Sequence, residues 1–217
     1  MAEINLLRKY PRIKRDVMSR TRNKDVNKKI AQEFERDYFD GTREQGYGGY
    51  VYDGRWLPIA RDFVEHYRLA AGDRVLEIGC AKGFFIKDLM TVCPGLEVFG
   101  VDISRYAVVN CEKEVVGRVH LGDARDLKFP DKCFKLVISI NTIHNLSRPD
   151  CIIALKEMQR VTFAAGYVQV DAYRNAQEKM LFEDWMLTAK TYKKPSGWIK
   201  LFSEAGYTGD YFWTICE

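Results

Sequence analysis

The chain has 217 residues, 47% hydrophobic and 29% charged, with a formal net charge of +4, which is enough apolar content for the core of one domain of ordinary size. Its apolar runs are far shorter than the ~20 residues that cross a bilayer, and no signal-peptide-like apolar segment opens the chain, so a cytoplasmic protein with no membrane span is expected. Six cysteines (Cys80, Cys93, Cys111, Cys133, Cys151, Cys216) are scattered without a C-x-x-C pair or a histidine cluster, which argues against a metal site or a disulfide framework and for packing thiols.

The charge is uneven. Residues 1–29 carry ten Lys or Arg against three acidic residues, leaving the rest of the chain mildly acidic. A basic arm of this kind suits nucleic acid, a phosphate-bearing small molecule or an acidic partner, and equally a solvated helical face. Asp16 to Phe39 contains no proline or glycine, follows Pro11, and can place Val17, Ile30, Phe34 and Tyr38 on one stripe, so a helical extension is predicted there, ending at Asp40 and Gly41. The next stretch, YFDGTREQGYGGYVYDGRW from Tyr38 to Trp56, interleaves Gly41, Gly46, Gly48, Gly49 and Gly54 with Tyr38, Tyr47, Tyr50, Tyr52 and Trp56. Glycine denies it a regular helix, and so many rings are costly to leave in water, so it reads either as a packed connection or as a lid over a ligand. Residues 1–56 are thus expected to form a basic helical arm and a Gly/Tyr-rich lid, and 57–217 the core, within a single domain overall.

Leu57 to Tyr67 reads as a helix, with His66 at its exposed end. Asp73 to Gly83 (DRVLEIGCAKG) follows: Val75, Leu76 and Ile78 suit a doubly covered parallel strand, Gly79 and Gly83 flank a tight turn, and Phe84, Phe85, Leu89 and Met90 resume at helical spacing. Glu97 to Asp102 (EVFGVD) is a second strand, and Ser104 to Val115 a helix with Ser104 as N-cap. Val119 to Leu121 is a third strand in which His120 is expected to pack. Lys135 to Leu146 (KLVISINTIHNL) is a fourth strand with its outlet loop, Cys151 to Val161 a helix, and Gly166 to Val170 a fifth strand ending at Asp171. Asp171 to Lys194 is long for a strand-to-helix link and is predicted helical from Gln177. Ser196 to Ala205 is the last helix, stopped at Gly206.

The spacing acidic-x-Gly-x-x-x-Gly at Glu77, Gly79 and Gly83 is not the three-glycine dinucleotide fingerprint. It resembles the first motif of the class I S-adenosylmethionine-dependent methyltransferases, and EVFGVD, the Gly122-Asp123-Ala124 turn and KLVISINTIHNL follow in that family's order. The resemblance implies a Rossmann-like, doubly wound α/β fold with a mainly parallel sheet of six to seven strands. Because only residues 206–217 follow the last helix, the family's seventh, antiparallel strand is expected to be truncated or replaced. It also implies S-adenosylmethionine as cofactor, with Glu77, Gly79, Cys80 and Gly83 at its methionine end, Asp102 on the ribose, Ile103 beside it, Asp123 and Ala124 at the adenine, and Asn141 closing the methionine side through its backbone.

His144, after the fourth strand, lies where the family presents groups to the methyl acceptor, as a general base or as an orienting group. Asp171, Tyr173 and Arg174 follow the fifth strand, and with Arg43, Tyr47, Tyr50 and Arg55 they would make an aromatic, partly cationic pocket for a small hydroxylated or anionic acceptor. The whole chain, including the YGGY-x-YDGRW loop, also resembles small bacterial methyltransferases thought to modify sugars of surface polysaccharides. The competing readings are a nucleic-acid or protein methyltransferase using the basic arm, and a cofactor-binding protein without chemistry. Against the first, NTIHNL lacks the Asn/Asp-Pro-Pro-aromatic sequence of exocyclic base methylation, and no Pro-Cys nucleophile is present.

Overall fold

The computed structural model describes residues 1–11, 17 and 20–216. Six strands, β1 (Arg74–Ile78), β2 (Glu97–Asp102), β3 (Val119–Leu121), β4 (Phe134–Ile140), β5 (Thr162–Ala172) and β6 (Asp210–Ile215), form one sheet in the order β3-β2-β1-β4-β5-β6. Every neighbouring pair is parallel. Side chains alternate between the two faces, and both faces are covered. Leu76, Ile78 and Val137 pack against α6 (Arg148–Val161) and α8 (Pro195–Ala205) through Leu155, Met158, Trp198 and Phe202. Val75, Leu136 and Ile138 pack against α3 (Leu57–His66) and α4 (Phe84–Val92) through Ile59, Phe63, Phe85 and Leu89. Each such side chain taken fully out of water contributes about 1.5–3 kcal/mol. The doubly wound α/β architecture is the one expected from the sequence.

Three expectations change in detail. The helix predicted over 16–39 is two helices, α1 (Lys24–Gln32) and α2 (Arg36–Asp40), because Phe34 takes a positive φ of 52° between them; Asp16 lies outside the described residues. The helix predicted over Ser104–Val115 closes after α5 (Arg105–Val109) and resumes as a single tight turn at Lys113–Val115, although Ser104 does cap α5 by accepting the Ala107 amide. His120 does not pack: it is exposed, since β3 is an edge strand only three residues long.

Among the described residues no antiparallel strand follows α8. β6 lies directly against β5, and its outer edge is taken by the chain's first residues: the Ile4 amide donates to Tyr211 O at 2.9 Å and the Tyr211 amide to Ala2 O at 3.0 Å. An edge that would otherwise expose a row of unpaired groups is thereby covered. The same opening segment buries Leu6 in the α3–α4 core and gives Tyr167 Oη a partner in Ile4 O at 3.0 Å. The start of the basic arm is therefore part of the core. The insertion after β5 carries α7 (Ala176–Trp185), close to the predicted helix start.

Candidate active site at the carboxyl ends of the strands

β1 delivers the chain into a turn in which Gly79, Ala81 and Gly83 all take positive φ (76°, 50° and 77°). Side chains at both glycines are excluded: a Cβ at Gly79 would overlap Thr142, and one at Gly83 would come within 2.7 Å of Val115 Cγ2. The turn is tied to the end of β2 by the Gly79 amide on Val101 O at 2.8 Å. Buried Cys80 faces Gly100, where an added Cβ would lie 2.5 Å from its Sγ, so the glycine of EVFGVD makes room for the turn.

Two acidic side chains are buried beside this turn. Asp102 is 7% exposed; its Oδ2 accepts the Ala81 amide at 2.7 Å and its Oδ1 the Ser104 amide at 2.8 Å. Burial nevertheless raises its pKa against those backbone bonds. Glu77 is 5% exposed, and burial together with the Asp102 charge pushes it up to about 8. Glu77 Oε2 has no hydrogen-bond partner among the described residues. An ionised carboxylate has about four acceptor sites, so Asp102 keeps capacity for a pair of hydroxyls and Glu77 for a cationic donor. These residues fit S-adenosylmethionine, whose ribose diol, ammonium and sulfonium are the donors and positive charges that such a carboxylate pair requires.

The Gly/Tyr-rich stretch lies over this turn and is fastened to it. Asp40 is the fastener: Oδ2 accepts Lys82 Nζ and Tyr106 Oη, each at 2.6 Å, and Oδ1 accepts the Tyr50 amide at 2.9 Å. Lys82 Nζ also reaches Tyr50 O at 3.0 Å. Tyr50 stacks on Phe84 at the start of α4 (4.6 Å, 15°) and packs against Tyr47 (4.4 Å). Burial raises the Tyr50 pKa well above its ordinary value, with the charges of Glu77 and Asp102 adding to the effect, so its phenol stays a neutral donor beside the two carboxylates.

A second fastening comes from α7. Arg20 stacks on Trp185 at 3.8 Å and donates to Gly46 O at 2.6 Å, while Arg43 lies 5.3 Å from the Trp185 ring centre and donates to Gly46 O and Tyr47 O. The sequence places Tyr106 near the adenosine side but does not single out Asp40 or Lys82 as part of the site. Lys82 was legible, since it sits inside the glycine turn, but Asp40 looked only like a helix end.

On the other side of the turn, the outlet of β4 meets the end of β5. Asn141 takes φ 54°, its amide donates to buried Gln169 Oε1 at 2.9 Å, and its carbonyl accepts Asn145 Nδ2 at 3.1 Å. His144 is buried, and its Nδ1 accepts the Asp171 amide at 3.0 Å; the Asp171 carboxylate lies 3.9 Å from the same nitrogen. With that lone pair engaged, the neutral ring carries its proton on Nε2. Taking a proton at Nδ1 would break this bond to the Asp171 amide, which favours the orienting one of the two roles read for His144 from the sequence. Tyr173 is beside this pair, its ring 6.3 Å from Tyr192.

Other expected contacts are dispersed. Arg55 grips Asp53 (Nε to Oδ1 at 2.8 Å) and lies over Tyr10; Arg174 pairs with Glu178 (2.6 Å). Asp123 is held by Arg125, whose hydrogen bonds keep its carboxyl below the ordinary range, with Ala124 packed against the α6–α8 core. Ile103 is 56% exposed at the rim. Several described cations of the basic arm have partners within the fold: Arg8 and Lys9, both exposed, pair with Asp62 at 3.3 and 2.6 Å, and Lys24 donates to Glu183 O and Asp184 O, while Arg22 and Lys29 are exposed.

Comparison with known proteins agrees with this geometry. Residues 76–170 match the methyltransferase domain family. A fatty-acid O-methyltransferase of Mycolicibacterium smegmatis is 31% identical over 52% of this chain and 41% of its own length. A demethylmenaquinone methyltransferase of Symbiobacterium thermophilum is 30% identical over 48% and 45%. The matches thus span less than half the length of these relatives. Among solved structures, the YcgJ protein of Bacillus subtilis (22% identical, TM-score 0.56, 70% of this chain and 68% of that one) shares the fold. So does a SAM-dependent methyltransferase of Aquifex aeolicus (19% identical, TM-score 0.52, 68% and 78%). The glycine turn, the buried carboxylate pair and the strand order agree with the family match, and residues 76–170 are similar to a methyltransferase domain.

Proposed function

We propose that this protein transfers a methyl group from S-adenosylmethionine to an oxygen or nitrogen of a small polar acceptor, a sugar or nucleotide-linked sugar. We place that acceptor between the tyrosine lid and the His144–Asp171 edge. The observation that carries the reading is the lid: a loop of tyrosines fastened through Asp40 to the cofactor turn offers ring faces and hydroxyls, the surface a polyhydroxylated ring needs.

In this reading Asp102 grips the ribose hydroxyls, Ile103 covers the rim, and Asp123 and Ala124 border the adenine. Gly79, Cys80 and Gly83 let the backbone approach the methionine part, Glu77 meets its ammonium, and the Asn141 backbone closes that side. The bound cofactor supplies a methyl on a positively charged sulfur leaving group. The protein's own task is positioning, with the acceptor atom held about 3–3.5 Å from the methyl carbon and in line with the sulfur. Tyr47, Tyr50 and Tyr173 orient the acceptor, with Arg43, Arg55 and Arg174 bracing the elements around it. His144, through Nδ1, fixes the end of β5 that carries Asp171, and the Asp171 carboxylate takes the proton of an acceptor hydroxyl as the methyl arrives.

The test is S-adenosylhomocysteine formation with a panel of nucleotide sugars, free sugars and RNA, wild type against Asp171→Asn. Turnover with a sugar that drops by at least a hundredfold in the variant, with cofactor affinity retained, supports the reading. Turnover confined to RNA, or undiminished in Asp171→Asn, overturns it.

A further inference from the structure

A cavity of about 360 Å³ lies beside His144, and Ser147, Arg148, Lys190, Thr191, Tyr192 and Lys193 line it. One wall follows the turn that carries His144, and the other is the segment between α7 and α8, which is hydrogen-bonded to His144 and to the end of β5. The Lys190 and Thr191 amides both donate to His144 O at 2.9 Å, and Thr191 Oγ1 donates to Leu146 O at 2.8 Å. Lys193 pairs with Ala172 at the end of β5, and its carbonyl accepts the Tyr173 amide at 3.3 Å. Both lysines therefore stand on backbone that is pinned to the site.

Their ammonium groups are uncommitted. No ion pair of Lys190 or Lys193 occurs among the described residues, whereas Arg148 is paired with Glu204 and Tyr192 Oη donates to Glu183 at 2.8 Å. The Ser147 and Thr191 hydroxyls are engaged internally. Two lysines facing one cavity without a carboxylate leave repulsion that an anion relieves, and the spare N–H groups of Arg148 add planar donors. Ser147 caps the 14-residue helix α6, so the positive end of that helix opens on the same space.

We infer that this cavity is a phosphate subsite that holds a phosphate or diphosphate, and that, on the function proposed above, the phosphate is the acceptor's own. It makes a phosphorylated or nucleotide-linked sugar the acceptor class, with the anion seated in the cavity and the sugar reaching across His144 and Asp171.

The test is calorimetric titration of pyrophosphate into the full chain saturated with S-adenosylhomocysteine, for the wild type and for Lys190→Ala/Lys193→Ala. The expected result is salt-sensitive binding weakened at least tenfold in the double variant, with S-adenosylhomocysteine affinity unchanged. Pyrophosphate binding that is absent, or equal in the two proteins, overturns the subsite. The source of the phosphate is read from turnover on a nucleotide sugar: a KM raised tenfold at constant kcat assigns it to the acceptor. An unchanged KM, with pyrophosphate binding lost, refutes the acceptor role and leaves a site for free phosphate. Failure of the wild type to bind S-adenosylhomocysteine would strike the proposed function instead, and pyrophosphate titrated alone still reads the cavity.

Discussion

Replacing Asp40 with alanine should release the lid from the cofactor turn without unfolding the sheet. Three hydrogen bonds are lost, two of them at 2.6 Å from Lys82 and Tyr106 and one at 2.9 Å from the Tyr50 amide. A hydrogen bond to a charged group contributes about 1.5–3 kcal/mol. The Asp40 side chain is 26% exposed, so screening lowers each of these, and about 2–3 kcal/mol for the set is a reasonable expectation. Lys82, only 10% exposed at its side chain, keeps Tyr50 O as partner but loses its counter-charge.

The assay is amide hydrogen exchange. Opening of residues 38–50 should become easier by that amount, about a 30- to 150-fold faster exchange, while amides of β1 and β4 hold their rates. S-Adenosylhomocysteine affinity should weaken with the lid. In a double-mutant cycle with Lys82→Ala, the two losses should sum to at least about 1 kcal/mol more than the double variant shows. Strict additivity, or protection at 38–50 that matches wild type, would refute the latch. Acid gives an independent handle. Burial opposes ionisation of Asp40, but the bonds from Lys82, Tyr106 and the Tyr50 amide win and hold its pKa below the ordinary carboxylate range. Its contribution is therefore complete above the unfolded pKa of about 3.9 and is lost as pH falls through the lower folded value.

Glu77 has the opposite sign: burial and the Asp102 charge push its pKa up to about 8 from an ordinary 4.5, so its contribution to stability of the cofactor-free protein is complete below about 4.5 and fades as pH rises to about 8. Glu77→Gln should flatten that slope in thermal melts, and cofactor binding near pH 7 should release a proton, seen as a buffer-dependent binding enthalpy; a slope shared by both proteins would contradict the assignment. Asp102→Ala should weaken cofactor binding by about 1.5–3 kcal/mol, the loss of hydrogen bonds to a charged acceptor, and unchanged calorimetric affinity would show that the ribose lies elsewhere. His144→Ala should lower kcat through the displaced Asp171, with a shifted pH profile and little change in cofactor affinity; equal loss in both proteins' affinity and rate would return it to packing.

The strands and the cofactor turn were legible in the sequence because each has a local cause. Val75, Leu76 and Ile78 must be apolar on both faces, and Gly79 and Gly83 sit where a Cβ would collide. What was not legible depended on partners far away in sequence. Nothing near Phe34 forecasts its positive φ, which splits the predicted helix into α1 and α2. The His144 ring looked like a base because its engagement by the Asp171 amide spans 27 positions. Arg43, Arg55 and Arg174 read as free acceptor ligands, yet each is held by a neighbour: Trp185, Asp53 or Glu178. Charge alone did not separate a cation that binds substrate from one that fastens a loop.

That distinction bears on the acceptor. Most cations of the chain that seemed available are committed to lid, core or helix, whereas Lys190 and Lys193, inside an insertion that looked merely long, are held by their backbones with ammonium groups uncommitted among the described residues. Lys190 and Lys193 stand on backbone hydrogen-bonded to His144 O and the Tyr173 amide, whereas the buried Glu77 and Asp102 flank the glycine turn. On the function proposed above, an anionic acceptor seated at the lysines and a cationic donor held at the carboxylates would approach from opposite sides, so this charge placement would favour one orientation before any group touches the reacting atoms.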